Sequence, residues 1–354
     1  MRVRARGEDI RKYIVDNIEK YPDTIAKSVA DKFGITRQAV SKHLKRLTDE
    51  KVLTESGQTR ARSYRLSPLV EWRREYRLVG SPTVPAEDVV WTNDIRSALE
   101  NLPDNVLEIW HYGFTEMFNN AVDHSGGNDI IVRVRKTAAD TEMVLLDDGV
   151  GIFKKIQAAM NLLDERHAVL ELAKGKFTTD PARHTGEGIF FTSRMFDSFD
   201  ILSGGVYFTH EFGKSEDWIL ERDKLETGTG VWMRLNNHTA RTTKKVFDQF
   251  SSEDDYSFNK TVVPVKLAKY GDDNLISRSQ AKRLLARIEL FKIVILDFKE
   301  VPTIGQAFAD EVFRVFPNEH PNTQLLPINT NSEVKRMIER VTSAASTPEN
   351  KSTS

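Results

Sequence analysis

The chain has 354 residues, 51 Lys+Arg against 52 Asp+Glu, and no cysteine. That length allows two or three domains with full cores, and the missing cysteine excludes a disulfide framework and a thiolate metal site. No apolar run approaches the ~20 residues of a membrane helix and no signal-peptide core opens the chain, so a soluble, cytoplasmic protein without membrane contact is expected.

The near-zero net charge hides an asymmetry: residues 1–80 carry 19 basic and 11 acidic side chains, the remainder 32 and 41. A basic front end on an acidic body points to nucleic acid as the partner of the front end. Within it, Ile10, Tyr13, Ile14 and Ile18 form the apolar stripe of a helix over 8–20. Asp23-Thr24 caps a second helix that ends at Gly34, and Thr36 caps a third through Glu50. On the third, Val40, Leu44 and Leu47 face inward, with Arg37, Gln38, Ser41, Lys42 and Lys45 outward. The pair makes a helix-turn-helix whose last helix suits a major groove. Two short strands about Gly57 follow, carrying Arg60 and Arg62. Residues 1–79 resemble the winged helix-turn-helix of bacterial repressors. That resemblance implies duplex DNA held by Arg37, Gln38, Ser41, Lys42, Lys45, Arg60 and Arg62, and a homodimer on two half-sites. A winged-helix module for protein interaction is the alternative. A helix is expected from Leu69 to Leu78, then a linker over Gly80–Pro85, where two prolines and a glycine oppose regular structure.

From residue 87 the pattern predicts helices over 87–101 and 104–124 and strands over 129–136 and 141–147. Glu116, Asn120 and His124 fall at i, i+4 and i+8 of the second helix, a polar stripe that is costly to bury unless something satisfies it. The apolar run Met143–Leu146 ends in Asp147-Asp148-Gly149-Val150-Gly151, a strand delivering a carboxylate to glycines that permit close backbone approach; in isolation a simple turn explains it equally well. Within a lid-like segment over 153–185, Lys174, Lys176, Arg183 and His184 carry enough positive charge to neutralise a polyphosphate. Thr185-Gly186-Glu187-Gly188 then opens a helix whose free N–H groups attract phosphate oxygens. No P-loop run competes.

The ordered set of three motifs resembles the GHKL (histidine kinase-like) ATPases: gyrases, heat-shock chaperones, histidine kinases, mismatch-repair proteins and the anti-sigma serine kinases. The resemblance implies an α/β sandwich of the Bergerat type over 87–245, with ATP and Mg²⁺ as ligands. It gives Asn120 the metal, Asp147 the adenine amino group, and Gly149 and Gly151 room for base and ribose. Thr185, Gly186 and Gly188 then meet the phosphates, with Lys174 and Lys176 as neutralising charge. Thr229, within Gly228-Thr229-Gly230, lies near the adenine. Glu116 takes the catalytic position that orients or deprotonates the nucleophile. His124 is read as a helix-dipole partner in the last turn rather than a ligand.

Over 256–342, strand and helix patterns alternate: 261–267, the amphipathic helix 278–290, the buried strand 292–298, a helix over 306–313, a strand over 323–328 and a helix over 332–342. This unit resembles the STAS-like domains related to anti-sigma antagonists, which implies a protein partner. Thr303-Ile304-Gly305-Gln306-Ala307 has no serine where those antagonists are phosphorylated, and Thr303 reads as a turn residue. Residues 343–354 read as a disordered tail. The whole is expected to be an α+β multidomain regulator that binds DNA and is gated by ATP binding and hydrolysis. Phosphotransfer to a Ser, Thr or His is the alternative, and binding of ATP without hydrolysis a third reading.

Overall fold

The computed structural model describes residues 2–57, 62–79, 86–178, 185–213, 217–251, 257–269 and 274–345. The expected linker 80–85, Arg60, Arg183, His184 and residues 346–354 lie outside them.

The N-terminal unit is α1 (Arg2–Asn17), α2 (Ile25–Phe33), α3 (Arg37–Asp49) and an antiparallel hairpin of β1 (Leu53–Ser56) and β2 (Ser63–Leu66). Ile14, Ile18, Val29, Val40 and Leu44 close a core of its own, as the helical stripes predict. Gly34 adopts φ +62° and returns its N–H to the Ala30 carbonyl, which ends α2. The Thr36 hydroxyl accepts the Ala39 amide at 3.2 Å and starts α3. Thr24, expected to cap α2, makes no side-chain cap bond.

The helix expected over 69–78 is instead a strand, β3 (Val70–Arg77), paired antiparallel along its length with β4 (Asp129–Lys136). Val70, Trp72 and Tyr76 alternate onto the core face. Arg74 interrupts the alternation because it reaches Asp94 at 2.5 Å, the carboxylate that also accepts from the Tyr76 hydroxyl at 2.8 Å. Residues 70–77 therefore belong to the central sheet, not to the helical unit before it.

That sheet runs β3-β4-β5-β7-β6, with β5 Asp140–Asp147, β6 Ser198–Glu211 and β7 Asp217–Asn236, all pairs antiparallel. The preceding helical segment is α4 (Glu87–Val90), a π turn (Trp91–Ile95) and α5 (Arg96–Ala98). The long α6 (Asp104–His124) follows and buries Trp110, Phe114 and Phe118 in the same core as the inward residues Ile130, Val132 and Val134 of β4. Completing the middle of the chain are α7 (Ile152–Met160), α8 (Glu165–Lys174), α9 (Gly188–Met195) and α10 (Thr243–Phe250).

The C-terminal unit alternates as expected: β8 (Lys260–Pro264), α11 (Arg278–Leu285), β9 (Ile293–Asp297), α12 (Gln306–Asp310), α13 (Phe316–Glu319), β10 (Gln324–Ile328) and α14 (Ser332–Ala345). Its three strands form a parallel sheet in the order β10-β9-β8. Ser277 and Gln280 form a reciprocal capping box at the head of α11. Since α14 runs to Ala345, the tail expected from 343 starts later than its composition suggests. The C-terminal unit does not have a separate core. Rings of Phe190 and Phe258 lie 4.5 Å apart and those of Phe258 and Phe291 5.1 Å apart, joining α9 to the parallel sheet in one apolar cluster. Among the described residues, no helix is long and apolar enough to cross a membrane.

Candidate functional site

A cavity of about 280 Å³ opens between α6, the central sheet and the head of α9. The three sequence motifs meet there: Glu116, Asn120 and His124 from α6, Asp147 and Thr229 from the sheet, and Thr185, Gly186 and Gly188 before and at the start of α9. Antiparallel pairing of β5 with β7 sets Asp147 opposite Thr229, so residues 82 apart in sequence face one opening. Met117, Ile130, Leu145, Ile156, Ile201 and Val231 supply an apolar floor. An apolar slot with few convergent polar groups is the usual form of a small-molecule site.

Asp147 is held by the backbone. Its Oδ1 accepts the amides of Gly149 (2.9 Å) and Thr229 (3.2 Å), while the Thr229 hydroxyl accepts the Ile152 amide at 3.0 Å. Burial pushes the Asp147 carboxyl up, and the two amides pull it back. Neighbouring Asp148 does a different job: its Oδ1 takes the amides of Asn128 (2.7 Å) and Asp129 (3.0 Å), tying the end of β5 to the start of β4. Those amide bonds, Asp129's first, hold it below the ordinary carboxylate range. Glu116 lies against the head of α9, so close that a Cβ on Gly188 would collide with its Oε2. A carboxylate is favoured at that end of a helix dipole. One turn along α6, the Asn120 amide has no hydrogen-bond partner among the described residues and borders the cavity.

Two expected cations are absent from the cavity. Lys174 is fully buried and its ammonium donates to Glu171 Oε1 (2.7 Å) and to the carbonyls of Arg283 (2.9 Å) and Ala286 (2.8 Å). Lys176 donates to the Leu290 carbonyl at 3.0 Å and lies 4.7 Å over the Phe291 ring. Both face the C-terminal unit. The glycines after Asp147 are also required by the protein itself: a Cβ at Gly149 would strike the Ser125 carbonyl, and one at Gly151 (φ +97°) would lie 2.6 Å from Ser203 Oγ. The helix expected to open at Gly186 opens at Gly188.

In their stead the cavity has Lys155, which sequence reasoning missed. Its ammonium donates to the His124 carbonyl at 2.6 Å, at the C-terminal end of the α6 dipole. The signal was its spacing, four residues after Gly151 on the first turns of α7. His124 itself borders the cavity as well as ending α6. Phe177 and Thr178 complete the wall, with the Phe177 amide donating to the Gly186 carbonyl at 3.1 Å.

On the N-terminal unit, Arg37, Gln38, Ser41, Lys42 and Lys45 are all exposed along one side of α3. Arg62 is exposed on the hairpin and pairs with Glu55 at 3.3 Å. Thr303 is exposed ahead of α12, after the buried strand β9.

Residues 280–335 match a family described as a STAS-like domain of unknown function (DUF4325). The C-terminal unit is thus STAS-like. No curated protein matches the chain.

Proposed function

We propose that this chain is an ATP-binding and ATP-hydrolysing regulator of transcription, in which the nucleotide state of a GHKL-type domain gates an N-terminal winged helix on duplex DNA. One observation carries the reading: residues from all three motifs that resemble the GHKL set, dispersed over 116–188, border a single cavity together with Thr229. In this reading Asp147 accepts the adenine amino group, the apolar floor takes the base, and the amides at Gly186 and Gly188 meet the phosphates. Asn120, with no competing protein partner among the described residues, would hold a Mg²⁺ ion, which would lower the charge that the phosphates present to a nucleophile. Lys155 takes the neutralising role first given to Lys174 and Lys176. Glu116, at the phosphate end of the cavity, orients water and accepts its proton. The exposed face of α3 supplies phosphate and base contacts to DNA, a second copy reads the other half-site, and the STAS-like domain meets a protein partner.

The experiment is incubation of the purified chain with γ-labelled ATP and Mg²⁺, alongside Glu116→Ala. Label is expected in free phosphate, with turnover in the variant down ~10²–10⁴-fold and ATP affinity retained. Label held in protein would turn the reading to phosphotransfer, with the same carboxylate acting on a protein hydroxyl. Equal loss of affinity and turnover would make Glu116 a binding residue only.

A further inference from the structure

The chain immediately after α8 belongs to two neighbours. Lys174, at the end of the helix, is fixed in the C-terminal unit by the Arg283 and Ala286 carbonyls, and its own carbonyl accepts the Thr261 hydroxyl at 2.7 Å. Gly175 (φ +82°) is wedged between the two units: a Cβ there would lie 2.8 Å from Phe258 Cε1 and 3.0 Å from Phe190 Cδ2. Lys176 follows, also left-handed at φ +53°. Such backbone in a non-glycine residue persists where its surroundings over-determine it. Here Arg287 does so. Its guanidinium donates to the carbonyls of Gly175 (3.4 Å) and Lys176, pairs with Glu171 Oε2 at 3.0 Å, and lies 5.1 Å over the Phe177 ring. Phe177 and Thr178 are the next residues, and both border the cavity.

We infer that Arg287 of the STAS-like domain is a positioning residue for the cavity wall, so that the seating of this domain regulates what the cavity binds. Arg287 does not border the cavity; it acts through the Gly175 and Lys176 carbonyls and the Phe177 ring. A planar fork meets two carbonyls and a carboxylate at once, which a lysine ammonium on a flexible stem cannot reproduce. The nucleotide reading enters only through the choice of ATP as probe.

The test is Arg287→Lys in the full chain, with ATP affinity by calorimetry, thermal unfolding, and amide hydrogen exchange over 175–178. The variant keeps a charge opposite Glu171, so its melting temperature stays near that of the parent. ATP affinity falls about tenfold and exchange quickens within 175–178 alone. Gly175→Ala pushes the same wall without altering Arg287 and is expected to have the same two effects. Unchanged affinity and exchange in Arg287→Lys would overturn the inference. So would a general rise in exchange with a matching fall in melting temperature, which would make Arg287 merely structural. Should the parent chain bind no ATP, the nucleotide reading fails by itself, and exchange over 175–178 in the two variants still decides whether Arg287 sets the wall.

Discussion

Half-burial raises the Asp147 carboxyl above its ordinary value of 3.8, against the pull of two amides. An acid whose folded-state pKa exceeds its unfolded value destabilises the fold when ionised. That penalty is in force above the folded value and is relieved as pH falls through it. The ligand-free protein therefore carries a cost at neutral pH that a donor such as an adenine amino group would offset. Asp147→Asn retains an oxygen for the Gly149 and Thr229 amides but has no charge to bury. Without ligand it is expected to melt above the parent at pH 7, the gap closing toward pH 4. It is also expected to bind ATP at least roughly tenfold more weakly, the usual loss for a hydrogen bond to a charged group. Thermal scans from pH 4 to 8 with calorimetric titration check both; a variant that melts lower and binds equally well would remove Asp147 from the recognition of the base.

At the scale of elements, α3 offers the cleanest separation of charge from packing. Val40, Leu44 and Leu47 are buried, while Lys42 is exposed on the opposite side and holds nothing together. Lys42→Ala is thus expected to leave stability unchanged and weaken retention of duplex DNA by the full chain. The slope of log affinity against log salt should fall by about 0.9 for one lost phosphate contact. An unaltered slope would favour an interaction module over a DNA reader. This helix was legible because a single amphipathic period specifies it, and so was the local placing of Glu116 and Asn120 on α6 and of Asp147 at the end of β5. Lys174 and Lys176 were not. Their partners, the carbonyls of Arg283, Ala286 and Leu290, come from a fold contact more than a hundred residues away, and nothing in a local window distinguishes a buried ammonium from one awaiting phosphate. Strand β3 was misread for a related reason. Arg74 shares the phase of Trp72 and Tyr76, where the period-2 pattern calls for an apolar residue, but its side chain stays exposed and turns to Asp94.

Across the whole molecule, cores rather than sequence segments define what unfolds together. One apolar cluster joins Tyr76 of β3, Phe114 and Phe118 of α6, Phe190 of α9, Phe258 ahead of β8, and Phe291 and Phe308 of the STAS-like domain. The buried Glu171, paired at once with Lys174 and Arg287, spans the same seam. The N-terminal unit has its own cluster, joined by Ala139 from the turn between β4 and β5, and Arg135 reaches the Leu66 carbonyl at 3.3 Å. Domains that share a core melt as one unit, whereas a small contact surface leaves its neighbours independent. Calorimetry is therefore expected to resolve two transitions, one for residues up to about Leu66 and one for the sheet together with the STAS-like domain. Removing residues 1–67 should delete the first and leave the second in place, because β3 is kept. Removing residues 1–79 should lower the second as well, since it strips an edge strand, leaves the backbone edge of β4 unpaired and uncovers Phe118, on which Tyr76 packs. Glu171→Gln should lower only the second, by about 3–5 kcal/mol for buried cations left without their carboxylate. A third transition, or a second one indifferent to Glu171, would mean that the sheet and the STAS-like domain fold apart.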